Sequence, residues 1–205
     1  QRAHAPYSLS LAETAADQAD NATVDAAVKQ PNREHNNLRA ALQWAHDGGD
    51  LTIGLQLAGA LWRFWRSSGI SEGRSWLEEL LALPDVAPNT ASLAARLRAM
   101  HVAAWLASDQ HEYEHAAHLF EQSAVLRRTL HMSESETNQL VNAARQARSL
   151  GHYGRATTLL EDVLARQRAL GDNGSIRNAR IGLSLYELAL VLREQGEFAR
   201  AAALY

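Results

Sequence analysis

The amino-acid sequence predicts an all-α fold: a right-handed superhelix of antiparallel helical hairpins, with long repeats of about 40–45 residues. Three observations predict it. The chain is 46% hydrophobic but only 6% aromatic. Alanine fills runs such as Ala40–Ala41, Ala103–Ala104, Ala143–Ala144 and Ala201–Ala203, which suits closely packed helices because alanine has the best helix propensity. The 12 glycines and 4 prolines fall mainly between periodic segments, where they end helices, and strand signals are almost absent. Finally, one apolar pattern recurs along the chain.

That pattern has two parts. The first is an aromatic or aliphatic lead residue, followed three positions later by a small residue and seven later by a large one: Ile70/Gly73/Leu77, Tyr113/Ala116/Phe120, Tyr153/Ala156/Leu160 and Phe198/Ala201/Tyr205. The second lies upstream, at the sixth, ninth and thirteenth positions before each lead residue: Phe64/Leu61/Leu57, Ala107/Ala104/Met100, Ala147/Ala144/Leu140 and Leu192/Ala189/Leu185. Such spacing is one face of a helix. The lead residues are 43, 40 and 45 positions apart. Small residues let the two helices of a hairpin approach, and large ones fill the space between hairpins, so each repeat buries its apolar face by stacking on the next.

Helices are therefore expected at about 4–17, 22–29, 32–47, 51–67, 71–83, 90–108, 112–130, 134–150, 152–170 and 175–195. The upstream triplets place the first helix of each hairpin and the lead residues the second. Gly151 and Gly196 stand where a left-handed C-cap ends a helix. Pro84 to Asn89 is the clearest interruption, a polar turn with two prolines, and Gly171-Asp172-Asn173-Gly174 is the next.

The repeat pattern resembles the tetratricopeptide repeat, whose minimal unit is 34 residues, so extra helical turns are expected here. A more specific resemblance lies in Glu34-His35-Asn36-Asn37-Leu38-Arg39-Ala40-Ala41-Leu42-Gln43-Trp44, Gly49-Asp50, Leu57-Ala58-Gly59-Ala60-Leu61-Trp62-Arg63-Phe64-Trp65 and Ser71-Glu72-Gly73-Arg74-Ser75-Trp76-Leu77-Glu78. These stretches resemble a segment of large bacterial transcriptional regulators, ATPases of the STAND class that carry tetratricopeptide-like repeats and, in many cases, a LuxR-type or similar DNA-binding domain. The resemblance implies that residues 1–20 are the tail of a preceding module and that 21–205 are a repeat domain, truncated in its last repeat, acting as a sensor and oligomerisation arm. A start at Gln1 and an end within a helical pattern fit a piece of a longer protein. The only lysine, Lys29, lies outside any Gly-x-x-x-x-Gly-Lys-Ser/Thr loop, so nucleotide chemistry is not expected from these residues.

The formal charge of −3 gives no basic stripe to replace phosphate counterions, and direct nucleic-acid contact is not expected. Zero cysteines exclude disulfides and thiolate metal sites, in keeping with a cytoplasmic location. Apolar runs fall far short of the roughly 20 residues that span a bilayer. The expected partner is a protein, a peptide or a small effector, with no cofactor and with self-association through an uncovered last repeat. A free-standing scaffold is the alternative function.

One further alternative is enzymatic. His111-Glu112-Tyr113-Glu114-His115 matches His-Glu-x-x-His, in which two histidines on one helical face hold zinc and the glutamate polarises its water. Here His111 is expected in a turn, and Tyr113 and Ala116 in repeat packing, so His111, His115 and His118 are candidates for incidental metal only. The better candidate site is a groove formed by the first helices of the hairpins: Trp62, Trp65, Arg66, Arg98, His101, Trp105, Asn138, Asn142, Arg145, Arg148, Tyr186 and Arg193. Tryptophan and arginine concentrate binding energy because a rigid ring or a bidentate fork gives much contact for little entropy. Arg98, Arg145 and Arg148 would meet an acidic or peptide ligand. The carboxylate clamp of some tetratricopeptide domains is not expected, since Asn142 alone matches it and His101, Trp105, Leu183 and Glu187 do not.

Overall fold

The computed structural model describes residues 33–169 and 175–204. The helices expected at 4–17 and 22–29, the boundary at residue 20, the 171–174 turn and Tyr205 lie outside the described residues. Every regular element among the described residues is a helix. The described residues form two compact units, divided between Gln110 and His111.

In the first unit, α1 (Arg33–His46), α2 (Leu51–Ala60), α3 (Trp62–Ser68), α4 (Ile70–Ala82) and α5 (Thr90–Asp109) follow one another. Their core is Leu38, Leu42 and Ala45 of α1, Leu55, Leu57 and Ala58 of α2, Trp65 of α3, Leu77 and Leu80 of α4, and Ala95, Ala99, Ala103 and Leu106 of α5. Asp50 caps α2 by accepting from the Ile53 amide. At the start of α5 the Asn89 side chain accepts from the Ala91 and Ser92 amides while Ser92 Oγ accepts from the Asn89 amide, a reciprocal capping box. The Pro84–Asn89 turn is held further by Ser92 Oγ donating to Asp85 Oδ2 (2.7 Å) and by Arg96, which donates to the Leu81 and Leu83 carbonyls at the end of α4.

The helix expected over 51–67 is interrupted at Leu61. Just there the indole Nε1 of Trp65 donates to the Ala58 carbonyl at 3.0 Å. A side chain entering the main-chain ladder is a recognised cause of such breaks. Trp65, fully buried, lies against α4 at Gly73, where a Cβ would stand 2.2 Å from Trp65 Cγ. The small residue at that place in the pattern thus has to be glycine.

The second unit is more regular: α6 (Tyr113–Thr129), α7 (Ser133–Ser149), α8 (Tyr153–Ala169), α9 (Ser175–Glu194) and α10 (Phe198–Ala202). Its core gathers Ala124, Leu140, Val141, Ala144, Ala147, Ala156, Leu160, Val163, Leu164, Leu188, Val191, Leu192 and Ala201. Gly151 and Gly196 adopt the left-handed conformation foreseen for them, with φ of 76° and 83°. His131 does the same without being glycine, at φ 57°. All three turns close with the same pair of main-chain bonds, Gly151 N to Arg148 O and His152 N to Ala147 O being one example. This is the Schellman arrangement, which satisfies the last helical carbonyls.

Each lead residue, Ile70, Tyr113, Tyr153 and Phe198, is the first residue of its helix. The small residues three later are all buried, as are Leu77, Phe120 and Leu160 seven later.

Candidate functional site

The groove residues of the first unit fall into three environments. Trp65 is core, not groove, and this corrects the expectation: it is fully buried and its only polar atom is used by Ala58. Trp62 is half-buried on α3, with the Arg63 and Arg66 guanidiniums 5.4 and 5.9 Å from its ring centroid. Arg66 Nε also donates to Asp109 Oδ2 at 2.6 Å, tying α3 to the end of α5. Arg98 is exposed on α5, its Cγ 3.3 Å from where a Cβ on Gly59 would be, so its stem lies on the α2 backbone. Further along α5, Trp105 Nε1 donates to His101 Nε2 at 3.2 Å, the rings meeting edge to face.

In the second unit two of the three predicted arginines, Arg145 and Arg148, are already engaged. Arg145 Nε donates to the buried Glu187 carboxylate at 2.8 Å, and Arg148 donates to Glu194 at 2.7 Å. The acidic ligand expected at these two therefore finds both cations neutralised from within the fold. Asn142 is 9% exposed, beneath Arg145, which removes it from a ligand-facing surface. Asn138 and Arg193 are exposed, and Tyr186 is 49% exposed on α9.

The histidine motif is split by the fold. His111 precedes α6 in a left-handed turn, φ 63°, with Nδ1 2.7 Å from the Tyr113 hydroxyl, whereas His115 lies inside the helix. The two are not on one helical face. His118 Nε2 accepts from Gln122 at 2.8 Å. Among the described residues no cluster of three histidine, cysteine, aspartate or glutamate side chains could hold a metal ion.

Several polar arrangements were not legible in the sequence. Arg39 forks onto Glu72 with bonds of 2.5 and 2.7 Å, the planar bidentate geometry that raises the affinity of the guanidinium for its proton. Both residues lie in the stretches that carry the STAND-type resemblance. Arg128 of α6 and Arg166 of α8 converge on Glu136 of α7, 4% exposed, at 2.7 and 2.9 Å. Arg127 is buried and donates only to serines, Ser123 and Ser135, and burial lowers its pKa. Beside the α1–α2 turn a cavity of about 1030 Å³ is lined by Trp44, His46, Asp50, Pro84, Asp85 and Val86 among others. No sequence pattern pointed to it. The adjacent Trp-Arg pairs at 62–63 and 65–66 were the one available sign of the cation and ring contacts.

Among the described residues no helix is long and apolar enough to cross a membrane. No family model matches the chain. Over 110 residues, 51% of its length, it is 33% identical to proteins of Mycobacterium bovis and Mycobacterium tuberculosis provisionally named HTH-type transcriptional regulators. The match spans only 12% of each of those longer proteins. Solved structures agree on the architecture. A Podosopora anserina protein, provisionally named a kinesin light chain and built of nearly identical TPR-like repeats, aligns over the whole chain and 92% of its own length, with a TM-score of 0.71 at 20% identity. RapI in its apo form aligns over 83% of the chain and 46% of its own length, with a TM-score of 0.62 at 14% identity. BtubC of P. vanneervenii aligns over 100% of the chain and 86% of its own length, with a TM-score of 0.63 at 17% identity. The fold is thus of the tetratricopeptide-like class, all-α and built of repeats.

Proposed function

We propose that this chain is a non-catalytic interaction and sensing segment of a bacterial transcriptional regulator of the STAND type, working in the cytoplasm and binding a protein, peptide or small effector. The observation that supports it best is the 33% identity to the mycobacterial HTH-type regulators, which falls on a chain of tetratricopeptide-like fold. In this reading the segment senses, and nucleotide and DNA-binding modules elsewhere respond. Coupling requires the ligand to bind one state of the regulator better than another, since equal affinity shifts nothing.

A thermal-shift screen of the chain against peptides, nucleotides and sugars tests the reading. A ligand at a hundred times its Kd adds about 2.7 kcal/mol to the stability of the folded state and raises the melting temperature by several degrees. A hit that also changes DNA binding when the corresponding segment of a full-length regulator is exposed to it supports the sensor role. A hit without that effect would leave an interaction scaffold and remove the sensor.

A further inference from the structure

We infer that the aromatic and arginine patch on the first unit, Trp62 with Arg63, Arg66 and Arg98, docks an acidic segment of a partner protein: a carboxylate-rich stretch with at least one apolar side chain. This rests on the interaction reading above and names the chemistry of the partner.

Two contacts set the geometry. Arg98 lies on Gly59, and Arg66 reaches Asp109, so α2–α3 and α5 run side by side in the same direction. Trp62, Arg63 and Arg66 follow Gly59 at three, four and seven positions, the spacing of one helical face, and the main-chain bonds Leu61 N to Leu57 O and Trp65 N to Leu61 O carry the turn through Leu61. From Arg98 to Asp109 the helix rises about 16 Å, which an extended chain of about five residues covers.

Charge decides the partner. The chain carries a net −3, and many of its arginines are matched within the fold: Arg39 by Glu72, Arg74 by Glu78, Arg145 by Glu187, Arg148 by Glu194 and Arg155 by Glu114 and Glu121. Arg63 and Arg98 have no carboxylate partner among the described residues. Both are nonetheless held in place, one over the Trp62 ring and the other on Gly59. In this patch Asp109 is bonded to Arg66, and neither Arg63 nor Arg98 pairs with it. Ordered cations without counter-charges lose little entropy on binding a carboxylate, and a partly buried indole beside them offers an apolar neighbour a place to lie. A nucleic acid would need a longer basic track than these few side chains provide.

A selection of displayed random twelve-residue peptides on the whole chain tests this. The expected winners are rich in glutamate or aspartate with an interspersed leucine or aromatic residue. A synthetic winner, followed by fluorescence anisotropy, should bind about tenfold more weakly to Arg63→Gln and to Arg98→Gln, the usual scale of a hydrogen bond to a charged group, and should weaken with salt. Both substitutions are on side chains outside the core, and an unchanged melting temperature checks that the fold is intact. Neutral or basic winners, or acidic winners indifferent to both variants, would overturn the acidic docking site while leaving an interaction module. Equal binding of an oligothymidylate probe would overturn it in favour of a nucleic acid. No enrichment of any peptide would count against both readings.

Discussion

The two compact units solve the same packing problem by different means. In the second, repetition suffices: α6 to α10 meet through alanines at the close approaches, end in three turns with identical bonds, and are stitched by arginine and glutamate pairs in a fixed register. Arg155, two positions after the lead residue Tyr153, bonds Glu121, eight after Tyr113. Arg200, two after Phe198, bonds Glu161, eight after Tyr153, in the same way. In the first unit the helices are held by single, irreplaceable fits: Trp65 against Gly73, Trp44 against Gly49, and Ala45 against Gly54, where a Cβ would stand 2.2, 2.6 and 2.6 Å from the nearest atom. The lesson is that departures from a repeat concentrate where one large side chain replaces several interchangeable contacts. The first two of those fits also lie in the stretches on which the family resemblance was drawn.

The largest effects should come from those fits. Truncating Trp65→Ala should cost about 3–5 kcal/mol, as for other buried aromatic side chains. Gly73→Ala should cost about 1–3 kcal/mol by overpacking against the same indole. The identical change at Gly154, on α8 with nothing within 4 Å of a Cβ, should instead stabilise by about 0.5–1 kcal/mol through helix propensity. Urea unfolding of the two glycine variants reads the signs directly, and equal effects would erase the contrast between the units.

Next in size is the convergence on Glu136. Glu136→Gln removes the charge that holds Arg128 and Arg166, with an expected loss of about 1.5 kcal/mol, at the low end for charged hydrogen bonds because both guanidiniums stay partly in water. Hydrogen exchange in α6 to α8 should quicken, and α2 to α4 should be unaffected.

How much of this was legible depends on what fixes each feature. The lead residues marked the helix starts because their spacing is local and periodic. Trp65 was misplaced for an equally local reason. Counting back from Ile70 puts Phe64 on the buried face, but Leu61, at ψ 13°, leaves helical geometry, and Trp65 is the side chain that is fully buried. That interruption depends on an indole reaching a carbonyl seven residues back, which no periodicity encodes. Arg145 and Arg148 were read as open because their partners, Glu187 and Glu194, are 42 and 46 positions away. Only the register of α7 on α9 brings them together.

Smaller effects test the turns. Gly151→Ala should cost about 1–2 kcal/mol, the penalty of a Cβ in the left-handed region, whereas His131→Gly should recover up to about 1 kcal/mol at the equivalent place. Smallest of all, Arg155→Ala should change stability by about 0.5 kcal/mol, since its pairs with Glu114 and Glu121 are at the surface. Thermal melts of these three variants should therefore rank in that order of magnitude, with His131→Gly alone moving upward.

The stitching of Arg155 to Glu121 and of Arg200 to Glu161 has a genetic side. Each hairpin carries the donor for the seam behind it and the acceptor for the seam ahead. A tandem duplication whose ends fall in two equivalent turns, at Gly151 and Gly196 for instance, copies both halves of a seam together with the turn that closes it. Recombination at those codons yields a longer open reading frame whose new junction is chemically the same as the old ones, so the gene can change length without first having to invent an interface.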